Sequence, residues 1–288
     1  MQTTSDASAK PTTQSGLQFN SQWIPGGELV PAIEQTAAFY KAVFGLAETR
    51  RYGSGQRNEL GISLNFGSSP EEARRQSGPD FGIAATAPSA PADDFVRAAL
   101  HPRDLATAVE RVVEHGAELV TAPSGSDPDT VFFRDPAGNL IELSPLPAAL
   151  ATTAQTQVEW RISARDLDAA VKFYETVFGL KQVARAEHSS AAKVSLQFEA
   201  STPAPVRLSI LRVGTDPTVR MTHHASQTVF TALSEEAFKA TLERAQAQSS
   251  ELVLKPVFIE SVAATFARVR DPARNIVELV WRKNAVRT

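Results

Sequence analysis

Apolar and polar positions follow two different periods near the start of the chain. Ile33, Ala37, Tyr40 and Phe44 recur at i, i+4, i+7 and i+11, which places them on one face of a helix. Residues 60–66 instead alternate apolar and polar side chains, the pattern of a strand with one buried face. The sequence therefore predicts a helix followed by strands in this region.

The same succession of strand, helix and three strands is predicted four times. Asp104, Asp166 and Ser234 stand where a side chain caps a helix N-terminus, and Gly45 and Gly179 stand where a left-handed residue ends one. We therefore expect an α+β fold of four βαβββ quarters.

Two motifs each occur twice, in the same order. FYKAVFGL (39–46) returns as FYETVFGL (173–180), and RDPAGNLIEL (134–143) returns as RDPARNIVEL (270–279). The motif tyrosines lie 174 − 40 = 134 positions apart and the motif glutamates 278 − 142 = 136 positions apart. The chain is thus a tandem duplication, and we expect the two quarters of each half to pair with each other.

Composition divides the chain further. Residues 1–18 are rich in Ser, Thr, Gln and Ala with no apolar block, so we expect a disordered tail. We predict a first domain at 19–147, a linker rich in Pro, Ala and Thr at 148–156, and a second domain at 157–284.

The 288 residues carry a net charge of −3, so no basic field is present to hold nucleic acid or an anionic membrane. Cysteine is absent, which excludes disulfides and thiolate metal sites. No apolar run approaches the roughly 20 residues of a membrane span. We expect a cytoplasmic protein, a monomer or homodimer, that acts on a small molecule and contacts neither nucleic acid nor membrane.

The two paired motifs, within four βαβββ quarters, resemble the vicinal oxygen chelate superfamily, the glyoxalase, bleomycin-resistance and extradiol dioxygenase group. The resemblance spans roughly residues 18–283. It implies four modules paired into two curled mixed β-sheet domains, each with a concave face that holds a metal or a small molecule. The metal ligands, commonly His, Gln and Glu, lie on the first strand of each quarter and at the glutamate of the IEL motif.

Carried onto the second half, the resemblance implies a metal site made by Glu159, Gln227 and Glu278. Three oxygen donors on one concave face would suit a divalent ion such as Mn, Ni, Mg, Zn or Fe. The alternative is that Glu159 and Gln227 are polar residues that line a metal-free pocket.

The first half has Pro25 and Arg97 at the matching positions, beside Glu142. Because an arginine is permanently charged and cannot ligate a metal, we expect no metal there. Arg97 and Glu142 are candidate substrate-binding residues, with Arg97 meeting an anionic group. The alternatives are an Arg97–Glu142 ion pair or a solvated arginine.

Histidines supply a second set of candidates. His223 and His224 precede the first strand of the fourth quarter, and a bulge there would bring one of them into the site as ligand or base. We take them as candidate catalytic residues. His101, His115 and His188 fall near element ends or in a turn, where we expect surface positions.

The RDP motif has Gly138 in its first copy and Arg274 in its second. That position of a tight turn often requires positive φ, which glycine adopts without strain. Either the second turn differs or it carries strain.

Two functions remain open from the sequence. One is a metal-assisted lyase, isomerase or oxygenase that acts on a small organic molecule, with its site in the second half. The alternative is a metal-free protein of the antibiotic-binding or resistance kind, with apolar and aromatic pockets.

Overall fold

The computed structural model confirms the α+β fold of four βαβββ quarters. The quarters span residues 17–84, 96–143, 157–212 and 227–282. The parts of the chain that the structure describes are 16–27, 30–54, 57–75, 80–85, 96–121, 128–146, 157–187, 192–198, 207–212 and 227–283.

The first half contains the first two quarters. The first quarter comprises β1 (Leu17–Pro25), α1 (Val30–Phe44), β2 (Leu46–Ser54), β3 (Arg57–Phe66), the short helix α2 (Pro70–Arg75) and β4 (Asp80–Ala84). The second comprises β5 (Val96–His101), α3 (Leu105–Glu114), β6 (Glu118–Val120), β7 (Val131–Arg134) and β8 (Leu140–Leu143).

The second half repeats this order. The third quarter comprises β9 (Gln157–Ala164), α4 (Leu167–Phe173) with a wider π-helical turn (Tyr174–Phe178), β10 (Lys181–Glu187), β11 (Ala192–Gln197) and β12 (Arg207–Arg212). The fourth comprises β13 (Gln227–Ala232), α5 (Glu235–Ala247), β14 (Leu252–Ile259), a 3₁₀ turn (Glu260–Val262), β15 (Ala264–Arg270) and β16 (Ile276–Arg282).

Local sequence signals set the helix ends as predicted. The side chains of Asp104, Asp166 and Ser234 each accept a hydrogen bond from the backbone N–H three positions on. Gly45 and Gly179 close their helices at φ 67° and 73°. These caps place each helix at a fixed point after the first strand of its quarter.

The sixteen strands found in the described ranges form two eight-stranded sheets. Sheet I has the order β14-β15-β16-β13-β1-β4-β3-β2, and sheet II has the order β10-β11-β12-β9-β5-β8-β7-β6. Sheet I therefore joins the first and fourth quarters through the antiparallel pair β1–β13, and sheet II joins the second and third through β5–β9. The expectation that the two quarters of one half share a sheet is wrong. First strands pair across the halves instead.

The helices and one face of each sheet form a common core. A single cluster of buried apolar residues draws on all four quarters. Gln22 on β1 reaches across, its Nε2 donating to the carbonyl of Arg161 at 2.9 Å and to that of Arg97 at 3.4 Å. The rings of Phe81 and Trp160 meet at 5.3 Å between centroids. We call the opposite face of each curled sheet, turned away from this core, its cup.

The repeated motifs fasten the sheets to each other. In the first half, the Tyr40 hydroxyl on α1 donates to Asp135 Oδ2 at 2.9 Å, in the turn between β7 and β8. Asn139 Nδ2 donates to the same oxygen at 2.8 Å and to the Pro25 carbonyl at 2.7 Å. Because α1 and β1 belong to sheet I and the turn belongs to sheet II, this buried network joins the two sheets.

The second half contains the same hydrogen-bond network, with the two sheets exchanged. The Tyr174 hydroxyl, after α4, donates to Asp271 Oδ2 at 3.1 Å. Asn275 Nδ2 donates to that oxygen at 2.8 Å and to the Ser163 carbonyl at 3.0 Å. Here the tyrosine belongs to sheet II and the aspartate to sheet I. Burial raises the pKa of Asp135 and of Asp271 to about 6, although their hydrogen bonds oppose the shift.

The turn of the second RDP motif keeps its shape and carries strain. Arg274 has φ 69°, against 83° for Gly138. The backbone N–H at each position donates to the carbonyl of the motif aspartate, at 2.9 Å for Arg274 and 2.8 Å for Gly138. Of the two alternatives, the strained turn is the one observed.

Replacing Tyr40 with Phe should destabilise the protein more at pH 8 than at pH 5. The folded pKa of Asp135, about 6, exceeds the unfolded value of roughly 3.9, so protonation favours the folded state. That contribution is complete below the unfolded pKa and is lost as pH rises through 6. At pH 8 the hydroxyl donates to a buried carboxylate, and its loss should cost about 2 kcal/mol, against about 1 kcal/mol at pH 5.

Urea unfolding at both pH values measures this difference. Tyr174→Phe is the matched variant and should behave alike because its network is equivalent. If each variant loses the same free energy of unfolding at pH 5 and pH 8, the titration of the motif aspartates does not control the strength of the tyrosine hydrogen bonds, and the prediction is wrong.

Replacing Arg274 with Gly should stabilise the protein by roughly 0.5–1 kcal/mol, since the left-handed conformation is strained for arginine only. The reciprocal change, Gly138→Arg, should destabilise it by about 1–2 kcal/mol. A Cβ at Gly138 would meet no atom within 4 Å, so any loss there reports backbone strain and not a clash. Thermal unfolding of both variants checks the pair, and a loss of stability in the glycine variant would contradict it.

Candidate functional site

A buried arginine lies in the cup of sheet II. The side chain of Arg161 is 0% exposed; its Nη1 lies 2.6 Å from Glu159 Oε1 and its Nη2 lies 2.8 Å from Glu142 Oε1. Glu159 and Arg161 are two positions apart on β9 and so face the same side of the sheet. Glu142 is on β8, on the other side of β5. One guanidinium thus links carboxylates from the second and third quarters.

Polar side chains contact both oxygens of the Glu159 carboxylate. The Ser209 hydroxyl donates to its Oε1, and Lys193 Nζ lies 3.7 Å from the same atom. His101 Nε2 lies 3.2 Å from its Oε2. Burial alone would raise the pKa of Glu159, but the charge of Arg161 and these contacts outweigh it, so the pKa lies well below its ordinary value.

One prediction for this region is wrong. His101 was expected on the surface, but it is 5% exposed and lies against Glu159, because its place on β5 turns it into the cup. His115 is exposed as predicted. The carboxylate of Glu142 accepts from the guanidinium of Arg161. Arg97 is buried at a bulge in β5, and its role in substrate binding stays a prediction.

The cup of sheet I has an aromatic floor. The Trp23 indole spans β4 and β3 over two glycines: a Cβ at Gly82 would come within 2.3 Å of the ring, and one at Gly61 within 2.9 Å. The Trp23 Nε1 donates to Ser21 Oγ at 3.0 Å, which satisfies its polar end. The Tyr52 ring stands edge-on to it at 5.5 Å between centroids. The indole is held flat and remains partly exposed.

Apolar side chains extend this floor. Trp23, Val262 and Phe266 pack against buried Val229 and Val280 in a cluster separate from the main core. The cup of sheet I is therefore an aromatic and aliphatic surface, whereas the centre of the sheet II cup is filled by paired charges.

Polar groups lie beside the floor. Gln227 is the cross-strand partner of Trp23, and Glu278 on β16 accepts from Arg268 Nε at 2.7 Å. Burial raises the pKa of Glu278, while Arg268 and a hydrogen bond from Gln227 oppose the shift. The Arg268 side chain is 42% exposed. Within the described part of the chain its two Nη atoms have no hydrogen-bond or ion-pair partner.

The metal set expected from the sequence is not assembled. Gln227 and Glu278 lie in sheet I and Glu159 lies in sheet II, because the third and fourth quarters pair with other partners and not with each other. The described residues contain no group of three or more His, Cys, Asp or Glu side chains arranged to hold a metal ion.

Among the residues that the structure describes, neither cup presents a donor set that fits a divalent ion. In sheet II the guanidinium of Arg161 stands between the carboxylates of Glu142 and Glu159, and in sheet I the carboxylate of Glu278 pairs with Arg268. A cation is a poor neighbour for a metal ion in either place. The candidate catalytic residues His223 and His224 lie outside the described residues, so their role also stays a prediction.

A groove of about 650 Å³ lies away from both cups, along β2 and α2. Several of its charged side chains already have partners: Lys41 and Arg51 both pair with Glu48, and Arg74 Nε donates to the Thr49 carbonyl at 2.9 Å. We assign the candidate site to the cups because the groove offers an ion-paired and largely exposed surface.

Models of known protein families match both halves of the chain, as the internal repeat predicts. The model of the Glyoxalase/Bleomycin resistance protein/Dioxygenase superfamily matches residues 154–279, and that of a Glyoxalase-like domain matches residues 29–144. The chain belongs to the glyoxalase/bleomycin resistance protein/dioxygenase superfamily. The resemblance inferred from the two motifs is thereby confirmed, in a form with two matching segments.

Relatives of this superfamily member share its fold at low identity. Glyoxalase I from Zea mays aligns with a TM-score of 0.74 at 17% identity, covering 92% of each chain. A putative dioxygenase from Bacillus subtilis aligns with a TM-score of 0.62 at 11% identity, covering 96% of this chain and 87% of the other. These similarities show the fold alone.

A lactoylglutathione lyase of Arabidopsis thaliana is 26% identical over 161 residues. The match covers 54% of this chain and 53% of the lyase, so it spans about half the length of that curated relative. In the superfamily member described here, no helix of the described residues has both the length and the apolar character to cross a membrane.

Sequence reasoning missed the residues that give each cup its character. Arg161 follows Glu159 at the i+2 spacing that shares a strand face, which was the available signal. Trp23 was not among the residues selected from the sequence. Gly61 and Gly82, both inside strands, signalled that a side chain or ligand approaches the backbone closely there.

Replacing Glu159 with Gln should destabilise the protein by about 3–5 kcal/mol, because it removes one of two carboxylates from a fully buried guanidinium. Glu142→Gln is the matched variant. The Glu142 side chain is 15% exposed and water reaches it, so its replacement should cost less, about 1–2 kcal/mol. Urea unfolding at pH 7 ranks the two, and an equal or reversed order would contradict the assignment of Glu159 as the principal partner.

Proposed function

We propose that this protein binds a small, planar organic molecule bearing an anionic group in the cup of sheet I, and that it does so without a metal. The observation that carries this proposal is the Trp23 indole laid across Gly82 and Gly61. Because neither glycine has a side chain, the indole can lie directly over the two strands. Its exposed face is then a flat apolar surface.

The floor suits an aromatic or conjugated ligand. Aromatic pairs gain about 0.5–1.5 kcal/mol beyond the area that they bury, and small-molecule sites are mostly apolar with few polar groups. Tyr52 and Phe266 extend the same surface beside Trp23. A planar ring stacked on the indole would replace water over an area that is now partly exposed.

Arg268 is the residue that would bind the anionic group of the ligand. Its Nε is engaged by Glu278, which fixes the guanidinium, and its Nη atoms remain to donate. A planar guanidinium with two such donors matches a carboxylate or phosphate better than a lysine does. Phe266 and Arg268 are two positions apart on β15 and face the same side, so the apolar and charged features are neighbours.

The metal-free form of the proposal follows from the donor sets. The metal-assisted lyase, isomerase or oxygenase expected from the resemblance requires Glu159, Gln227 and Glu278 on one face, and the first of these lies in the other sheet. Superfamily membership is compatible with binding alone, because one fold carries many activities.

A second candidate, proton transfer without a metal, is favoured by one observation. Glu278 is 7% exposed in the same cup, and burial raises its pKa, which makes its carboxylate a stronger base. It would take a proton from carbon of a bound ligand and return it to another atom of that ligand, giving an isomer. Glu278→Gln should then abolish turnover while binding persists, whereas a pure binding protein shows no turnover in either form.

The proposed binding is tested with a panel of planar aromatic carboxylic acids and their neutral methyl esters, followed by thermal shift and calorimetry. We expect acids to bind tighter than esters, and EDTA to change nothing. Trp23→Ala should weaken both classes by about tenfold or more, the loss of a stacking anchor. Arg268→Gln should weaken only the acids.

Arg185→Gln is the matched control, since Arg185 is an ion-paired arginine on the outer strand of sheet II. Binding that survives Trp23→Ala unchanged, or binding that requires a divalent metal, would overturn the proposal.

A further inference from the structure

The guanidinium of Arg161 stands between two carboxylates at the positions where the superfamily resemblance places metal ligands. Glu142 is the closing glutamate of the second quarter, and Glu159 is on the first strand of the third. We propose that Arg161 is a resident cation that takes the place of a divalent metal in sheet II, and that removing its guanidinium opens a divalent-cation site made by His101, Glu142 and Glu159. This inference concerns sheet II and stands independently of the function proposed for sheet I.

The charges explain why no further cation can enter. Arg161 and Lys193 oppose Glu142 and Glu159, two positive charges against two negative ones. Because both carboxylates are already neutralised, the cluster offers no net attraction to a divalent ion. Without Arg161 the cluster has a net charge of −1 and attracts one.

Three side chains able to ligate a metal lie around the guanidinium, although they do not form a metal site while Arg161 is present. Glu142 and Glu159 each hold an oxygen within 2.8 Å of the same guanidinium, so one cation already bridges them. His101 Nε2 lies 3.2 Å from Glu159 Oε2, and its Nδ1 lies 3.1 Å from Ser144 Oγ, which orients the ring. Two carboxylates and an imidazole suit Mn²⁺, Ni²⁺ or Zn²⁺.

Arg161 itself is held by these carboxylates and by little else. Its Nε is buried and has no hydrogen-bond partner among the described residues. The guanidinium is therefore fixed by its charge and not by a complete set of hydrogen bonds. A metal ion at the same place would meet the same two carboxylates.

The test loads Arg161→Met and Arg161→Gln with Mn²⁺, removes excess metal by dialysis, and measures bound metal by elemental analysis and electron paramagnetic resonance. We expect about one equivalent of tightly held Mn²⁺ in these variants, together with a higher melting temperature when metal is present. The wild type and Arg161→Lys, which keeps a cation, should each retain less than about a tenth of an equivalent. Adding Glu159→Gln to Arg161→Met should abolish the gain.

Each outcome decides the question. Variants that fold only when Mn²⁺ is supplied would support the proposal, since the metal then replaces the guanidinium. Folded variants that hold no metal would overturn it, as would wild-type protein that binds one equivalent lost on Glu159→Gln. Failure of both variants to fold with or without Mn²⁺ also counts against it, because the proposal requires that a divalent ion can stand in for the guanidinium.

Discussion

The buried hydrogen bond between the motif tyrosine and the motif aspartate is the contact on which the architecture depends. It occurs twice, as Tyr40 with Asp135 and as Tyr174 with Asp271. Each copy joins a helix of one sheet to a turn of the other, so each half of the sequence straddles both sheets. The aspartates are buried at the cost of a raised pKa, which fits a role in holding the sheets together and not in exposed chemistry.

This arrangement decides which side chains share a cup. Because first strands pair across the halves, the cup of sheet I combines Trp23 of the first half with Gln227 and Glu278 of the second. The cup of sheet II combines Glu142 of the first half with Glu159 of the second, and Arg161 fills the space between them. Two related scaffolds thus differ in their cups: that of sheet I is mainly apolar and partly exposed, whereas paired charges occupy the centre of that of sheet II.

The sequence predicted the elements well because the signals for them are local. Helix caps such as Asp104, Asp166 and Ser234, and the apolar alternation of the strands, act within a few residues and were confirmed. The grouping of quarters was not predictable in this way. Both ways of pairing four similar quarters bury the same strand faces and join similar first strands, so no local signal distinguishes them.

The residues predicted for the candidate sites were grouped wrongly for the same reason. Counting along the motifs selected Glu142, Glu159, Gln227 and Glu278 but combined them within the halves, whereas the structure divides them between the two sheets. Neither Arg161 nor Trp23 was identified, because their roles follow from neighbours on other strands. The strain at Arg274, in contrast, was among the alternatives, since one turn position suffices to state it.

The pairing of first strands across the halves is the central claim, and the absence of native cysteine allows a direct measurement of it. Ser21 on β1 lies opposite Val229 on β13, a separation that a disulfide can span. The double variant Ser21→Cys with Val229→Cys should form an intramolecular disulfide under mild oxidation, seen by mass spectrometry of the peptide map. Ser21→Cys with Ala99→Cys, which pairing within the first half would bring together, should remain reduced. A disulfide in the second variant and none in the first would contradict the account.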